Sequence, residues 1–420
     1  MSKKVTKSKN LINGKTLLVT VDIGKKINYG YCRFPDGSEI EPFDFYNSGV
    51  GFKKFWHEIE QIKRGSSLEE IVVGIESTGC YGEPLLHFLN KRKGVELVQI
   101  NPMHTKRVKD LQGNSPQKSD RKDPKVIADI ICLGHVLSVV LPEGVPAILR
   151  RLIHARERET SRRSVAYNHL QDLLFRIFPE FGRVMKDIST KSSRCLLRHY
   201  PLPVQIVELG REALAALLYQ VSRGQLGMDR ALELYRAAIN SGGIDKDPEG
   251  LLLELECLLD LIELCNSTIA RLENRVSQLL REVPCSQYIL SIKGIGEIIT
   301  AGLIGEVGDF KQFGSIGELL KYSGLDLYEI SSGIHHGERH ISKRGRCLIR
   351  KLLYFAAICT IRKGGAMHQH YQRHREKGMP TPKAMVAIMR KLLGIIFALV
   401  RDHSEYIPDY EVNKKIKLAA

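Results

Sequence analysis

Short apolar runs in the first 150 residues predict the strands of a β-sheet. The stretch 16–25, Thr-Leu-Leu-Val-Thr-Val-Asp-Ile-Gly-Lys, is rich in β-branched residues, contains a single acid and is closed by Gly24. A run this short and apolar is typical of a central strand that is buried on both faces. Two similar runs, at 71–76 and 95–100, predict further strands.

The segments between these strands complete the pattern of an α/β domain. Residues 29–34 and 38–40 flank the turn signal Pro35-Asp-Gly37, which predicts a hairpin that continues the sheet. Three segments have helical spacing of apolar residues or a helix-start proline; these are 52–63, 84–91 and 123–131. Residues 101–122 are basic and polar, and we predict a loop there.

The middle of the chain has helical character. Residues 148–178 predict a long arginine-rich helix, and 181–250 predict a helical insert broken by glycines. An apolar seam with alternating spacings of three and four follows. Its members are Leu255, Leu258, Ile262, Cys265, Ile269, Leu272, Val276 and Leu279. Such a heptad seam favours a coiled coil. The alternative is an amphipathic helix in a globular core.

The last part of the chain contains two segments suited to phosphate. Lys293-Gly294-Ile-Gly296 between helical patterns is typical of a helix-hairpin-helix, although it would also suit a plain tight turn. From Ser331 to Arg375 the chain has one acid, Glu338, among ten lysines and arginines. This run predicts a phosphate-binding surface for DNA or RNA. Its glycines predict an open segment that could present a serine, and helices at 348–360 and 383–400 follow.

These patterns divide the chain into four parts. We predict a basic arm at 1–15, an α/β domain at 16–145, a helical linker with insert and coiled coil at 146–284, and a mainly α-helical domain at 285–420.

Composition narrows the class of protein. The formal charge of +16 and the pI near 9.4 favour a nucleic acid as partner, with an anionic membrane surface as the second choice. No apolar run is long enough for a membrane helix and no signal peptide is evident. The nine cysteines include no C-x-x-C pair, so we expect reduced thiols in a cytosolic protein.

Four acids form the candidate centre of the molecule. Asp22 and Glu76 stand at the ends of predicted strands, and Asp120 and Asp123 form a pair three residues apart. A carboxylate at the end of a buried strand is costly unless it is paired or binds a cation. We therefore predict a metal site. The simpler interpretation is that Asp22 and Glu76 cap turns and that the Asp pair starts a helix.

These motifs together resemble those of the DEDD insertion-sequence transposases. The resemblance rests on Val-Asp22-Ile-Gly-Lys, Gly-Ile-Glu76-Ser-Thr-Gly, Asp120-x-x-Asp123, Lys-Gly-Ile-Gly, Tyr-Ser-Gly-Leu and Ser-Gly-x(7)-Ile-Ser-Lys-Arg-Gly. It covers about 16–180 and 285–400. These proteins are bridge-RNA-guided recombinases, related to the Piv and MooV invertases. The insert at 181–250 is longer than the usual linker of this family.

The resemblance implies a fold and a chemistry. It implies a RuvC-like (RNase H-type) domain that holds Mg²⁺ or Mn²⁺ on Asp22, Glu76, Asp120 and Asp123. It also implies a C-terminal transposase domain with a nucleophilic serine that joins covalently to DNA. That serine falls on Ser332, with Ser331 as the neighbouring alternative.

The implied partners are donor and target DNA, a guide (bridge) RNA, and further copies of the chain in a dimer or tetramer, without a membrane. We expect the protein in the cytoplasm of a bacterium or archaeon, near the nucleoid. The residues expected to contact nucleic acid are Lys293, Gly294, Gly296, Arg339, Lys343, Arg344, Arg346 and Arg350.

Phosphodiester cleavage agrees with this set of residues. In-line attack develops charge that a carboxylate-held divalent ion can neutralise, and a serine hydroxyl needs activation by a base or a metal. Two other classes stay open. A metal-dependent junction-resolving nuclease would use the acids without serine chemistry. An actin-like or sugar-kinase ATPase would need a second Asp-x-Gly phosphate loop, which we do not find in the sequence.

Overall fold

The computed structural model describes residues 12–76, 79–112, 122–332 and 335–408. It divides into two compact units. Unit 1 comprises residues 1–141 and 313–350, and unit 2 comprises 142–312 and 351–420. The segment 313–350 thus belongs to the same unit as the sheet. The four-part division of the sequence is an interpretation of its character and stays a prediction.

A six-stranded mixed sheet forms the centre of unit 1. Its strands are β1 (Thr16–Asp22), β2 (Ile27–Arg33), β3 (Glu39–Tyr46), β4 (Glu70–Glu76), β5 (Val95–Ile100) and β6 (Leu137–Ser138). The order across the sheet is β3-β2-β1-β4-β5-β6. The strands β1, β4 and β5 run parallel, whereas β2 pairs antiparallel with β1 and β3, and β6 with β5. The predicted hairpin and the three predicted strands are confirmed.

Four helices accompany the sheet in this part of unit 1. They are α1 (Gly49–Gly65), α2 (Glu83–Asn90), α3 (Pro102–Gln112) and α4 (Asp123–Cys132). On one sheet face, Val19 and Val21 pack with Phe55 of α1 and Leu85 of α2. On the other face, Leu18 packs with Ile127 of α4. The central strand β1 is therefore buried on both faces, as its apolar run predicts.

The prediction of a loop across 101–122 is wrong over its first half, because α3 occupies that part. The helix has few apolar residues and hence no helical period to detect. It is started instead by Asn101, whose Oδ1 accepts a hydrogen bond from the Met103 backbone N–H at 3.0 Å. Such a side-chain cap satisfies a backbone donor that the first helical turn leaves free. Residues 113–121 lie outside the described residues.

Unit 2 is helical. Its elements up to residue 312 are α5 (Gly144–Ile177), α6 (Phe181–Val184), α7 (Lys191–His199), α8 (Pro203–Leu209), α9 (Arg211–Ser222), α10 (Met228–Ile239), α11 (Glu249–Leu280), α12 (Ser286–Leu290), α13 (Glu297–Val307) and a 3₁₀ turn at Phe310–Gln312. The insert helices α7 to α10 share one apolar cluster with α5 and the start of α11. They thus extend the core of this unit.

The heptad seam of α11 packs against α5 of the same chain. Arg156 Nε donates to Glu273 Oε1 at 2.6 Å, and an Arg163 guanidinium nitrogen donates to Asn266 Oδ1 at 2.8 Å, so the two helices run antiparallel. Ile262 and Cys265 are fully buried in this single chain. An apolar seam in the sequence predicts that one face of a helix is buried, but it does not tell whether the same chain or another chain covers that face. The seam therefore gives no argument for a contact between subunits.

Up to residue 408, the described part of the remaining chain contains a hairpin and four helices. In unit 1, α14 (Ile316–Ser323) leads to strands β7 (Leu327–Ser332) and β8 (His335–Ile341). The helices α15 (Cys347–Thr360), α16 (His368–Glu376) and α17 (Thr381–Asp402) follow. The predicted helices at 348–360 and 383–400 are confirmed. Within the described ranges, no helix is both long and apolar enough to cross a membrane.

Candidate functional site

Two of the predicted acids stand side by side at one edge of the sheet. The strands β1 and β4 are parallel neighbours, and Val21 lies opposite Ile75. Asp22 and Glu76 are the residues that directly follow this pair, and each ends its strand. Both are partly buried. The parallel register thus brings together two carboxylates that are 54 positions apart in the sequence.

A third acid reaches this edge from helix α4. Asp123 is the first residue of the helix, and Pro124 follows it. The Thr20 hydroxyl of β1 donates to the Pro124 carbonyl at 2.6 Å, and this buried hydrogen bond fixes the start of α4 beside the end of β1. Only 13% of the Asp123 side chain is exposed. Asp123 therefore belongs to the same sheet edge as Asp22 and Glu76.

At this edge of the sheet, the carboxyl group of Glu76 has a raised pKa. Burial raises the pKa of Glu76 above its usual value, Lys109 lowers it and the charge of Asp123 raises it again. The hydroxyl of Thr105 also lowers this pKa. Nevertheless, Thr105 Oγ1 is buried, and no described residue reaches it with regular hydrogen-bond geometry. This edge thus holds the neighbouring acids Glu76 and Asp123, together with a buried Thr105 hydroxyl that has no regular hydrogen bond to a described residue.

Helix α3 supplies the counter-charge. Lys109 Nζ lies 2.6 Å from Asp123 Oδ2. Thr105 and Lys109 are four residues apart, so both lie on one face of α3. Lys109 falls in the stretch 101–122, for which the sequence predicts a basic loop, and no sequence pattern singles out Thr105. Once α3 is known to be a helix, the i, i+4 spacing is the signal that would have found this face.

Asp120, the remaining acid of the predicted set, lies outside the described residues. Within the described ranges, no three His, Cys, Asp or Glu side chains form a group that could hold a metal ion. The four-acid metal site therefore stays a prediction. The residue types present fit a hard divalent cation, since Mg²⁺ prefers carboxylate oxygens. Such a cation would also relieve the repulsion that raises the pKa of Glu76.

The predicted serine lies on the β7–β8 hairpin. In the backbone register, Ser331 pairs with His336 and Ser332 with His335. The expectation of an open glycine-rich segment is wrong over 330–332 and 335–341, because these residues belong to the antiparallel strands β7 and β8. Gly333 is outside the described residues, as are the side chains of 330–336. The hairpin nevertheless belongs to the same compact unit as the acids, because unit 1 contains 313–350.

Two arginines after the hairpin form hydrogen bonds with neighbouring segments of the same unit. Arg350 donates through one guanidinium nitrogen to the carbonyls of Ser323 and Gly345, at 2.9 and 3.0 Å. Arg346 Nε donates to the Tyr322 hydroxyl at 3.1 Å. These two arginines join the segment after β8 to the end of α14.

The other predicted contact residues are more accessible. Lys343 and Arg344 are exposed, and Lys343 has a left-handed backbone with a φ of 54°. Arg339 is exposed and bridges Glu329 at 2.9 Å. In unit 2, Lys293, Gly294 and Gly296 are exposed in the turn between α12 and α13. Their contacts with nucleic acid stay a prediction.

The sheet, the acids at the ends of its strands and the excess of positive charge agree with an enzyme that processes DNA. A family model described as the transposase IS116/IS110/IS902 family matches residues 286–372. A second model, of the DEDD transposases of IS110 elements and described as a transposase, matches residues 19–179. Together the two models match more than half of the chain. The chain belongs to the IS110 family of insertion-sequence transposases.

Relatives of this chain carry names that agree with this family. The insertion element IS110 43.6 kDa protein of Streptomyces coelicolor is 23% identical over 392 residues, which cover 92% of this chain and 94% of that protein. The insertion element IS116 44.8 kDa protein of Streptomyces clavuligerus is 23% identical and covers 69% of this chain and 73% of its own length. The pilin gene-inverting protein of Moraxella lacunata is 29% identical over 35% of this chain and 48% of its own length.

Proposed function

We propose that this transposase cuts and rejoins DNA strands with a divalent ion, Mg²⁺ or Mn²⁺, held by Asp22, Glu76, Asp120 and Asp123. The observation that supports the proposal is that Asp22 and Glu76 end neighbouring parallel strands, while Asp123 lies close enough to Glu76 to raise its pKa. Because like charges that lie close together are costly when partly buried, a cation is the natural ligand of this edge.

The proposed fold of the N-terminal domain is RuvC-like. Three features support it: a sheet with order β3-β2-β1-β4-β5, antiparallel pairing on the β3 side, and parallel pairing on the β5 side. The acids then occupy the carboxyl ends of the two central parallel strands. Open sheets commonly bind ligands outside the carboxyl ends of their strands.

The proposed chemistry assigns different work to different groups. The bound divalent ion would neutralise charge at the phosphate that is attacked. Asp22 and Glu76 would fix the position of the cation, because each ends a buried strand of the central sheet. Lys109 balances the charge of Asp123 and, by lying close to Glu76, lowers the pKa of that carboxyl. The buried Thr105 hydroxyl, which lowers the pKa of Glu76, would favour the charged form of that carboxyl.

We also propose Ser332 as the nucleophile that joins covalently to DNA, with Ser331 as its alternative. The Ser332 oxygen would form a bond to phosphorus, and a DNA oxygen would leave as a hydroxyl. Two observations support this step. The serines lie in a hairpin of the compact unit that also contains the acids, which is compatible with supply of both by one chain or by two subunits. The segment around them is basic, which suits contact with a phosphate backbone.

The proposed partners are donor and target DNA, a structured guide RNA and further copies of the chain in a dimer or tetramer. The RNA and the assembly rest on the resemblance to bridge-RNA-guided recombinases, and the charge of +16 agrees with more than one bound nucleic acid. Sequencing of RNA that copurifies with the protein tests the guide. Purified protein that is active in recombination and free of RNA would exclude it.

A covalent-adduct experiment tests the chemistry. Wild-type protein stalled on nicked DNA, denatured and digested should yield a peptide with a nucleotide on Ser332, and Ser332→Ala should abolish the adduct and recombination. Ser331→Ala should only weaken both. Asp22→Asn, Glu76→Gln and Asp120→Asn should block strand transfer but leave DNA binding intact. Glu96→Gln, at an exposed position of β5, is the matched control and should leave strand transfer unchanged.

The outcomes of this experiment separate the two candidate functions. DNA cleavage that needs the acids but leaves no adduct on either serine, with full activity of the double alanine variant, would indicate a metal-dependent junction-resolving nuclease. An adduct on Ser331 would move the nucleophile by one position. Near-normal recombination by the Asp22→Asn variant would overturn the metal site.

A further inference from the structure

A cluster of four basic groups lies in unit 1 around His104 of helix α3. The His135 ring, just after α4, has its centroid 5.5 Å from that of His104, in an edge-on arrangement. Arg107 of α3 and Arg344, which follows β8, are close enough to act electrostatically on His104. The cluster thus joins α3, the turn after α4 and the segment that follows the serine hairpin.

At the centre of the cluster lies a ring nitrogen that has no hydrogen-bond partner among the described residues. His104 Nδ1 is buried, and no described residue forms a hydrogen bond with it. An unsatisfied buried polar atom is costly and calls for a ligand or a function. The pKa of His104 is lowered by burial first and then by His135, Arg344 and Arg107. The two arginine side chains near this imidazole would repel a metal ion and attract an anion.

We infer that His104, His135, Arg107 and Arg344 bind a phosphodiester group of the DNA backbone. The inference rests on the proposed function and locates one phosphate of its substrate. The exposed Arg107, His135 and Arg344 keep the cluster open to solvent, as an extended polymer requires. Arginine forms two parallel hydrogen bonds with a phosphate group, and a histidine adds one more.

The position of the cluster explains why DNA would use it. His104 is next to Thr105, which lies beside Glu76, so the phosphate site and the acidic edge are carried by neighbouring residues of one helix. A strand bound through a phosphate at His104 would pass along α3 toward the acids. Arg344 would tie the same strand to the segment that follows the serine hairpin. The cluster would therefore act as a positioning site and not as part of the chemistry.

Binding of inorganic phosphate to the full-length protein provides a direct test. With ¹⁵N-labelled histidines, phosphate should shift the ring signals of His104 and His135, assigned from His104→Gln and His135→Gln. Arg344→Gln should weaken this binding roughly tenfold, as expected for a lost charge-assisted hydrogen bond. Lys106→Gln removes one charge from an exposed position of the same helix and should leave the binding unchanged. Absence of these shifts at saturating phosphate would overturn the site.

Salt-dependent DNA binding provides the second test. In the His104→Gln/Arg344→Gln variant, the slope of log affinity against log salt should become shallower by about one unit. The reason is that a phosphate no longer contacted by protein keeps its counterion when the DNA binds. If the variant binds DNA with the wild-type slope and affinity, and the wild-type protein cleaves DNA, the inference is refuted. Wild-type protein that binds no DNA would instead refute the proposed function. A slope change on RNA alone would assign the site to RNA and overturn the assignment to DNA.

Discussion

Lys109 Nζ lies 2.6 Å from Asp123 Oδ2 and lowers the pKa of Glu76 as well, so one ammonium group balances two acids of the sheet edge. It comes from α3, a helix that the sequence pattern does not reveal. Among the described residues, Lys109 is a cation that acts on both Asp123 and Glu76. A metal ion bound there would share that role.

The first prediction concerns Lys109. Lys109→Met should lower the free energy of unfolding by about 1 kcal/mol in EDTA, because a partly buried ion pair loses its cation. It should also increase the stabilisation by Mg²⁺, since metal no longer competes with an ammonium group. Urea unfolding with and without Mg²⁺ measures both effects. Lys106→Met on the same helix is the control. Equal Mg²⁺ stabilisation in wild type and Lys109→Met would contradict the competition.

The second prediction concerns Glu76 and pH. Its pKa is raised in the folded protein. Between the ordinary pKa of Glu and the raised value, the native state therefore binds more protons than the unfolded state, and stability falls as pH rises through that window. Glu76→Gln carries no charge and should lack this decline. Above the window it should unfold at higher urea concentration than wild type, although strand transfer is lost.

Urea unfolding in EDTA from pH 4 to pH 8 tests this difference. The exposed Glu96→Gln should follow the wild-type curve throughout. A Glu76→Gln variant that is less stable than wild type at pH 8 would show that the carboxylate is net stabilising in the folded protein, which would contradict this prediction.

The two acids at the strand ends could be predicted because the apolar runs of their strands are evident in the sequence. Asp22 and Glu76 each close an apolar run, and runs of that type form neighbouring buried strands. Asp123 was found from the helix start that Pro124 marks. The partners of these acids could not be found in the same way. Thr105 and Lys109 belong to a polar helix that is fixed by the Asn101 cap and by tertiary contacts, neither of which leaves a hydrophobic period.

Long-range pairing explains the remaining differences. The strand β8, His-His-Gly-Glu-Arg-His-Ile, has no alternation of apolar residues, and it forms by pairing with β7. The seam of α11 was clear in sequence, yet its partner is α5, more than 100 residues earlier in the same chain. Sequence periodicity predicts that a face is buried, whereas the identity of the covering element depends on the whole fold.

The third prediction concerns Gly345. Its backbone packs against Tyr322, Ser323 and Gly324, and a Cβ atom at this position would overlap the Gly324 nitrogen and the Tyr322 carbonyl oxygen. Gly345→Ala should therefore separate the segment after β8 from the end of α14 and weaken DNA binding together with strand transfer. Gly317→Ala in α14 meets no such obstacle and should keep both activities. Hydrogen exchange of 322–346 measures the separation; wild-type protection in Gly345→Ala would contradict it.

The fourth prediction concerns the seam between α5 and α11. Ile262 is fully buried in the cluster that contains Leu170 and Leu174 of α5. Ile262→Ala should lower the free energy of unfolding by about 2–5 kcal/mol, because it removes buried methyl groups and leaves a cavity. Leu264→Ala, at a position of the same helix that is 56% exposed, should change it by less than about 0.5 kcal/mol.

The mass in solution decides between a seam within the chain and a seam between chains. Because α5 of the same chain covers Ile262, the Ile262→Ala variant should keep the wild-type mass in light scattering wherever it remains folded. A variant with intact helical circular dichroism but a reduced mass would show that residue 262 contacts another subunit. In that case the antiparallel α5–α11 pair would be exchanged between chains, and the seam would support the proposed oligomer.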